Sequence, residues 1–428
     1  MMTKEEAESP PPPSSATGQH WVCQPVADPG PLDELPLAPP SCLWIRGGDG
    51  IIGWGSVATA VFTGMDRFAA AARLFAGVVT TGVCSTTGMP GTGPVLFGAF
   101  AFDAASPASV AVVPAVTLRR ANGHAWITTW TGAGRTPGTS LARLLAGSQP
   151  HNGSGPSVTW DDDEPSRARW LGAVNHALEQ IRSGRVDKVV LAREHTGTVH
   201  GGLDVAALVR QMAAEDRNSY AFGVAGLVGA TPELLIARWG SNVESLVLAG
   251  SAARGATAEE DARLGQGLAG SPKERTEHRH AVDSVTAQLR PRCATLRISA
   301  APALLKLTHL QHLATTVRGN LTNSTTALEL VQLLHPTAAV CGTPAPAAMA
   351  LIRQLEPADR GCYTGPVGWT DARGDGEWGI ALRCAQLDGP RIRVHAGAGI
   401  VDGSVPEAEL RETDLKFRSM LRALTGPT

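Results

Sequence analysis

Residues 271–280 read S-P-K-E-R-T-E-H-R-H and place two acids, Glu274 and Glu277, three positions apart. On a helix this spacing brings both carboxylates to one face. A second such pair, Glu409 and Glu412, lies in P-E-A-E-L-R-E-T-D-L-K at residues 406–416. Either pair alone is typical of a solvent-exposed helix face. Together they predict two helices that close on one hard cation, because four adjacent carboxylates repel one another unless a cation neutralises them.

Magnesium is the cation that such a site predicts. Mg²⁺ binds a few carboxylates, keeps several waters and leaves positions for an anionic ligand. Zinc is less favoured, because the nearby histidines lack H-E-x-x-H or Cys/His ligand spacing and are by default structural. These histidines are His278, His280, His309 and His312.

The composition is typical of a globular protein and indicates no particular class of macromolecular partner. Its 428 residues are 43% hydrophobic, which suffices for a sizeable core in one large domain or in two or three smaller ones. Lys and Arg number 37 against 39 Asp and Glu, so the charge indicates neither a nucleic acid nor a membrane surface as partner. Seven scattered cysteines without a C-x-x-C pair predict reduced thiols in a cytoplasmic protein.

The chain divides by composition into three parts. Residues 1–39 are proline-rich and predict a disordered extension, with ordered structure beginning near residue 40. Residues 40–160 are glycine-rich and β-like, and form an N-terminal portion. Ser, Gly, Pro and an acidic run predict a loop or linker over roughly 146–168. Residues 165–425 form a core that carries most of the motifs.

Within this core, strand-like and helical patterns alternate irregularly. Apolar residues from Trp170 to Ile181 recur at helical spacing, and K-V-V-L-A at residues 188–192 predicts a buried strand. Residues 259–290 and 406–424 have helical patterns. This mixture predicts the α+β class, with sheets packed against helices.

A G-x-G-x-x-G motif at Gly48, Gly50 and Gly53 imitates a dinucleotide-binding fingerprint. That motif must open a helix, so that the pyrophosphate meets helical N–H groups. Here Ile51, Ile52 and the residues after them continue as β-like sequence. The motif therefore predicts a glycine-rich hairpin, and an NAD-dependent oxidoreductase finds no other support.

The core contains a series of nine distinctive segments. They are D-K-V-V-L-A-R, A-T-P-E-L-L, L-A-G-S-A-A-R-G, K-E-R-T-E-H, L-H-P-T-A-A-V-C-G-T-P, Y-T-G-P-V-G-W, G-E-W-G-I-A-L-R-C-A, H-A-G-A-G-I-V and E-A-E-L-R-E-T. This series resembles the chorismate-utilising enzymes, the family that includes anthranilate synthase component I, and within that family it is most similar to the isochorismate synthases. Two further segments, L-W-I-R-G-G-D-G-I-I-G-W-G and L-F-G-A-F-A-F-D, resemble the N-terminal part of the family.

The resemblance implies a single large α+β domain over residues 40–428. Two antiparallel sheets face each other in this fold, helices wrap around them, and a cleft between the sheets binds Mg²⁺ and chorismate. The implied reaction is an isomerisation to isochorismate (a hydroxymutase, EC 5.4.4.2), in which water attacks ring C2 and the C4 hydroxyl leaves. A monomer without nucleic-acid or membrane partners is expected.

The resemblance also implies the acid and the base of this reaction. Lys188 matches the residue that activates water, and a lysine accepts a proton only where burial or neighbouring positive charge disfavours its ammonium form. Glu233 matches the general acid that protonates the departing hydroxyl, for which a semi-apolar pocket must raise its pKa. Without the resemblance, Lys188 would be read as a surface lysine and Glu233 as a turn residue.

The remaining matches concern the metal and the substrate. Glu277 and Glu412 match direct Mg²⁺ ligands, and Glu274 and Glu409 match partners that act through water. Arg383 matches the arginine that pairs with the enolpyruvyl carboxylate, since a guanidinium fits a carboxylate through two hydrogen bonds. The other matched positions border the ring or a carboxylate of the substrate; they are Gly250, Ser251, His312, Tyr363, Gly397, Gly399 and Lys416.

Three functions remain open at this level. Lys188, where ammonia-using relatives carry glutamine, and Ala249, where some of them carry a lysine, favour water as the nucleophile. A salicylate synthase, which forms isochorismate and then eliminates pyruvate, shares the matched residues. A non-catalytic chorismate-binding subunit would have lost one of Lys188, Glu233, Glu277 and Glu412. The sequence leaves open whether the product serves menaquinone or siderophore synthesis.

Overall fold

The structure is a computed structural model that describes residues 20–80, 83–84, 88–131, 141–146 and 157–425. The strands of these ranges are β1 His20–Val26, β2 Cys42–Arg46, β3 Asp49–Trp54, β4 Ala58–Phe62, β5 Val83–Cys84, β6 Val95–Ala99, β7 Ser109–Val113, β8 Val116–Ala121, β9 His124–Thr131, β10 Ser157–Trp160, β11 Lys188–His200, β12 Tyr220–Val224, β13 Leu227–Thr231, β14 Leu234–Trp239, β15 Asn242–Ala253, β16 Cys293–Ile298, β17 Ala303–Lys306, β18 Leu310–Leu321, β19 Gly342–Thr343, β20 Pro366–Asp371, β21 Gly376–Ile380, β22 Cys384–Asp388 and β23 Arg391–Val401. The α-helices are α1 Arg67–Thr80, α2 Leu141–Leu144, α3 Glu164–Arg182, α4 Val205–Glu215, α5 Ala258–Gly270, α6 Pro272–Leu289, α7 Ala327–Leu334, α8 Ala345–Leu355 and α9 Pro406–Thr425.

The strands form two large sheets. The first has 13 strands in the order β10-β11-β23-β22-β13-β12-β2-β3-β8-β9-β1-β5, with β19 paired to β11. The second has 10 strands in the order β16-β18-β15-β14-β21-β20-β6-β7-β4, with β17 paired to β18. The described pairings are antiparallel except that of β1 with β5. Both sheets mix strands from the N-terminal portion and from the core, so the expected single α+β domain is confirmed.

Apolar side chains from both sheets fill the space between them. Trp44 and Phe222 of the first sheet and Phe97 and Trp369 of the second belong to one buried cluster. Helices α4 and α9 cover the outer face of the first sheet with a second cluster. Helices α1, α3, α6, α7 and α8 contribute to a third. No helix in the described ranges combines the length and apolarity that a membrane crossing requires.

Helices α6 and α9 carry the two acid pairs. Ser271 caps α6, because its side chain accepts a hydrogen bond from the Glu274 amide, and Pro272 occupies the first turn, where its missing N–H is not needed. Ser271 also ends α5, so the predicted helical stretch 259–290 consists of two helices. Helix α9 matches its predicted range and packs along β23.

Two expectations for irregular segments are wrong. Residues 20–39 belong to the fold rather than to a disordered extension: β1 pairs with β9 from His20 to Val26, and Leu32, Leu35 and Leu37 are buried. The prediction of disorder followed the polar and proline-rich composition of this segment and gave no weight to its few apolar residues. Within the predicted linker, residues 157–160 form β10 and α3 begins at Glu164. Residues 1–19 and 147–156 lie outside the described ranges.

The G-x-G-x-x-G motif forms a hairpin, as predicted. Strands β2 and β3 pair directly, with Ile45 opposite Gly50 and Arg46 opposite Asp49. Gly50 has a φ of 152°, and a Cβ atom there would lie 2.0 Å from the Trp44 carbonyl oxygen. Glycine at this position therefore serves a close backbone approach within the sheet.

The contribution of β1 to stability is testable with Trp21→Ala. Trp21 is 2% exposed and its ring centroid lies 4.9 Å from that of Trp130. Its removal is expected to cost about 3–5 kcal/mol of unfolding free energy, measured by chemical denaturation. Val61→Ala, at a side chain that is 64% exposed, is the control and is expected to stay within about 0.5 kcal/mol. Equal effects of the two substitutions would contradict a structural role for β1.

Candidate active site

A cavity of about 80 Å³ opens where β11 and β23 of the first sheet meet β15 and β18 of the second. All the matched residues of the sequence analysis line it except Lys188, Glu274 and Glu409. Lys188 lies beside Glu277 of the lining, and Lys273 joins Glu274 to Glu409. Residues as far apart in the sequence as Val190 and Lys416 thus meet at one place. The residues that line the cavity are Val190, Pro232, Glu233, Leu248, Ala249, Gly250, Ser251, Glu277, His312, Ala339, Val340, Tyr363, Thr364, Leu382, Arg383, His395, Ala396, Gly397, Gly399, Glu412 and Lys416.

Lys188 opens β11 and is fully buried. Its Nζ atom lies 3.3 Å from Oε1 of Glu277, a residue that lines the cavity. The pair fits because Gly399, across the sheet, has no side chain: a Cβ atom there would lie 2.0 Å from Glu277 Oε1 and 3.0 Å from Lys188 Cε. One glycine therefore leaves room for both the lysine and the acid.

The outer acids of the two helices are joined by a lysine. Nζ of Lys273 lies 3.1 Å from Oε1 of Glu274 and 2.7 Å from Oε1 of Glu409. Burial, and then repulsion from Glu277, raise the pKa of Glu274 to about 7. Burial and repulsion from Glu412 likewise raise the pKa of Glu409. Both shifts report that negative charge accumulates where α6 and α9 converge.

Glu412 is the best-neutralised acid of the four. Burial disfavours its ionised form, but Lys416, with Nζ 2.7 Å from Oε1, and a hydrogen bond from Ser251 bring the pKa of Glu412 below its ordinary value. Lys416 Nζ also donates to the Gly397 carbonyl oxygen at 2.7 Å. Glu412 is therefore an ionised carboxylate at the cavity wall.

The acid pairs fit a hard divalent cation by their chemistry. All four ligand candidates are carboxylates, the donors that Mg²⁺ prefers. Oε2 of Glu274 is a buried acceptor without a hydrogen-bond donor, which a cation would satisfy. In the described part of the chain, no three acidic, histidine or cysteine side chains are already arranged as ligands around one point. Lysines 188, 273 and 416 occupy the positions nearest to the carboxylates instead.

Glu233 has the environment of a protonated acid. It is 4% exposed and follows Pro232 at the start of β14, and its Oε1 lies 3.4 Å from the Leu248 amide. Burial raises the pKa of Glu233 to about 8, against the opposing effects of the Leu248 hydrogen bond and of Lys188. At neutral pH the group therefore holds a proton at the edge of the cavity.

Arg383 is positioned by a histidine. Its Nη2 donates to Nε2 of His312 at 2.5 Å, and burial lowers the pKa of Arg383 to about 10. Burial, followed by the charge of Arg383, holds the pKa of His312 well below its ordinary range, so its ring is neutral. Because Nε2 accepts, the ring proton lies on Nδ1, 3.2 Å from the Gly250 carbonyl oxygen and 3.1 Å from Ser251 Oγ. A chain of hydrogen bonds thus connects Glu412 through Ser251 and His312 to Arg383.

Two residues of the site escaped the sequence analysis. His395 lies on the cavity wall, and its ring stacks on Tyr363 with centroids 5.0 Å apart. Burial lowers the pKa of His395 to about 3, so it forms a neutral aromatic wall. Lys273 bridges the outer acids. Lys273 directly precedes Glu274, and His395 precedes Gly397 by two positions. This closeness to matched residues is the sequence signal that could have identified them.

Fold and site together define a class of protein. The family model for chorismate binding enzymes matches residues 42–425, and the chain belongs to this family. The match includes both sheets and both acidic helices.

Particular relatives are similar over most of the chain. Isochorismate synthase DhbC of Bacillus subtilis is 42% identical over 272 residues, which cover 61% of this chain and 68% of that protein. Isochorismate synthase EntC of Escherichia coli is 35% identical over 333 residues, covering 77% and 80%. The solved structure of MenF, the menaquinone-specific isochorismate synthase from Escherichia coli, superposes with a TM-score of 0.76 at 25% identity, covering 95% of each chain.

The two glycines of β23 allow the site and the fold to be separated experimentally. In Gly399→Ala the added Cβ meets only side-chain ends, so the Glu277 carboxylate moves and the strand stays. In Gly397→Ala it lies 2.6 Å from the Leu191 carbonyl oxygen, so β11 itself must shift. We expect Gly399→Ala to lose about 100-fold in chorismate turnover with little change in melting temperature, and Gly397→Ala to lose melting temperature.

The control is Gly267→Ala in α5, where nothing lies within 4 Å of the added Cβ and alanine favours the helix. Turnover and thermal unfolding are measured for all three variants. Full activity of Gly399→Ala would contradict the placement of Glu277 beside Gly399.

Proposed function

We propose that this protein is an Mg²⁺-dependent isochorismate synthase, which converts chorismate to isochorismate. The observation that carries the proposal is one cavity bordered by a protonated Glu233, by the Lys188–Glu277 pair and by Arg383. These groups supply an acid, a base with an adjacent carboxylate, and a partner for a substrate carboxylate. The similarity to isochorismate synthases over most of the chain supports the same reaction.

The proposed reaction exchanges one hydroxyl for another. Water forms a bond to ring C2 and gives a proton to Lys188 in its neutral amine form, the ring double bond shifts, and the C4–oxygen bond breaks. Glu233 donates its proton to the departing oxygen, which leaves as water, so atoms and charge balance. Mg²⁺, held by Glu277 and Glu412 with Glu274 and Glu409 behind them, would bind the ring carboxylate and fix the orientation of the substrate.

The chain's own residues orient the other end of the substrate. The Arg383 guanidinium is held by His312 at one nitrogen and keeps further N–H groups for the enolpyruvyl carboxylate. The stacked rings of Tyr363 and His395 line the same cavity. A buried arginine binds a carboxylate more strongly than an exposed one, because water screens the charge less.

Product identification after incubation with chorismate and Mg²⁺ tests the proposal. Isochorismate as the sole product supports it. Salicylate with pyruvate assigns the protein to the salicylate synthases, and chorismate binding without turnover assigns it to the non-catalytic chorismate-binding proteins. Chelation of Mg²⁺ is expected to abolish turnover, and added MgCl₂ to restore it.

Lys188→Ala tests the base. Loss of a positioned general base is expected to lower kcat about 10²–10⁴-fold while chorismate binding, measured by calorimetry, persists. Lys306→Ala is the matched control, since that lysine makes a 2.7 Å ion pair with Asp261 away from the cavity and is 46% exposed. Retention of full kcat in Lys188→Ala would remove Lys188 from the mechanism.

Glu233→Gln tests the acid and predicts a pH dependence. Glu233 must be protonated to donate, so kcat is expected to fall about tenfold per pH unit above its pKa of about 8. Glutamine keeps the shape but cannot transfer a proton, so kcat is expected to fall about 10²–10⁴-fold. The residual activity should no longer decline near pH 8.

The matched control for this substitution is Glu244→Gln, at an exposed partner of Arg318. It is expected to keep both the rate and the pH profile of the unaltered protein. A decline near pH 8 that survives in Glu233→Gln would assign the titration to another group.

A further inference from the structure

Lys273 makes contacts that the proposed mechanism does not use. It lies in the first turn of α6, and its Nζ atom contacts the outer acid of its own helix, Glu274, and the outer acid of α9, Glu409. Glu409 is 2% exposed, whereas a quarter of the Lys273 side chain reaches solvent. This lysine therefore enters the acidic region from outside and connects the two helices.

The three lysines near the acids form ion pairs with different carboxylates. Lys188 pairs with the inner acid Glu277, and Lys416 pairs with the inner acid Glu412. Lys273 alone, among the described residues, forms ion pairs with an acid on each helix. Removing Lys188 or Lys416 would leave one inner acid without its ion-pair partner. Removing Lys273 would leave two carboxylates, one on each helix, without the partner that they share.

We propose that Lys273 is a tethered counter-cation: its ammonium group neutralises the outer pair Glu274–Glu409, so that α6 and α9 hold their acidic faces together before a divalent ion binds, and it limits the negative charge that this ion meets. The inference rests on the metal assignment of the proposed function. It concerns Lys273, which the metal and substrate assignments above leave without a role.

The formal charges show why such a limit matters. Removing one ammonium group lowers the net charge of the metal-loaded site by one unit. Without Lys273 the attraction of the loaded site for a substrate with two carboxylates would therefore be weaker.

Thermal unfolding of Lys273→Met with and without MgCl₂ tests the inference without any turnover. In metal-free buffer the variant is expected to melt about 5 °C below the unaltered protein, because two buried acids lose their partner. Its stabilisation by MgCl₂ is expected to exceed that of the unaltered protein, with a Kd about tenfold lower by calorimetry, because the ion meets a more negative site.

Lys273→Arg keeps the charge and is expected to behave like the unaltered protein, and Lys306→Met removes a lysine from an ion pair elsewhere. Equal or smaller stabilisation of Lys273→Met by MgCl₂ would overturn the inference, as would an unchanged melting temperature in metal-free buffer. Failure of the proposed function has a different signature, since the unaltered protein would then form no isochorismate whatever Lys273→Met does. If MgCl₂ stabilised neither protein, the metal assignment and this inference would fall together.

Discussion

The site depends on the burial of four carboxylates at the meeting point of α6 and α9. A buried carboxylate without a cation is costly, and several together repel one another, so such a cluster exists only where positive charge accompanies it. The protein supplies that charge from three directions: Lys188 from β11, Lys273 from the start of α6, and Lys416 from α9 itself. The placement of both helices against the sheets is thereby coupled to the electrostatics of the cavity.

This coupling also places demands on the backbone. Helix α9 is fixed on β11 by Arg193, which is 5% exposed and bonds Thr413 and Asp414 between the turns that carry Glu412 and Lys416. Opposite, β23 presents Gly399 where the Glu277 carboxylate and the Lys188 side chain need space. The register of β11 and β23, with Val190 opposite Gly399, therefore determines whether acid and base meet. A slip by one residue would turn a side chain into the space that the carboxylate needs.

The sequence predicted the elements whose signals are local. The E-x-x-E spacing indicated both acidic faces, and the β-like sequence after Gly50 excluded a nucleotide-binding helix. Signals that depend on distant partners were missed or misread. The apolar residues of β1 become buried when this strand pairs with β9, a distant segment. The local composition, which is polar and proline-rich, therefore predicts disorder there. The role of Lys273 depends on Glu409, 136 residues away, so the local sequence does not indicate it. The pairing of Lys188 with Glu277 likewise depends on the packing of α6 against the sheets.

The cavity separates charged groups from neutral ones, and this separation suits the proposed chemistry. Acids and lysines gather near the starts of α6 and α9, whereas Glu233, His312 and His395 are kept neutral by burial. A neutral His312 whose Nε2 accepts from Arg383 has no free basic nitrogen toward the substrate. It therefore positions the arginine and does not remove a proton from the substrate ring. Lys188, Arg383 and Lys416 each lower the pKa of Glu233, but burial outweighs them and keeps the proton on this group. Burial thus keeps a proton donor compatible with the cations of the same cavity.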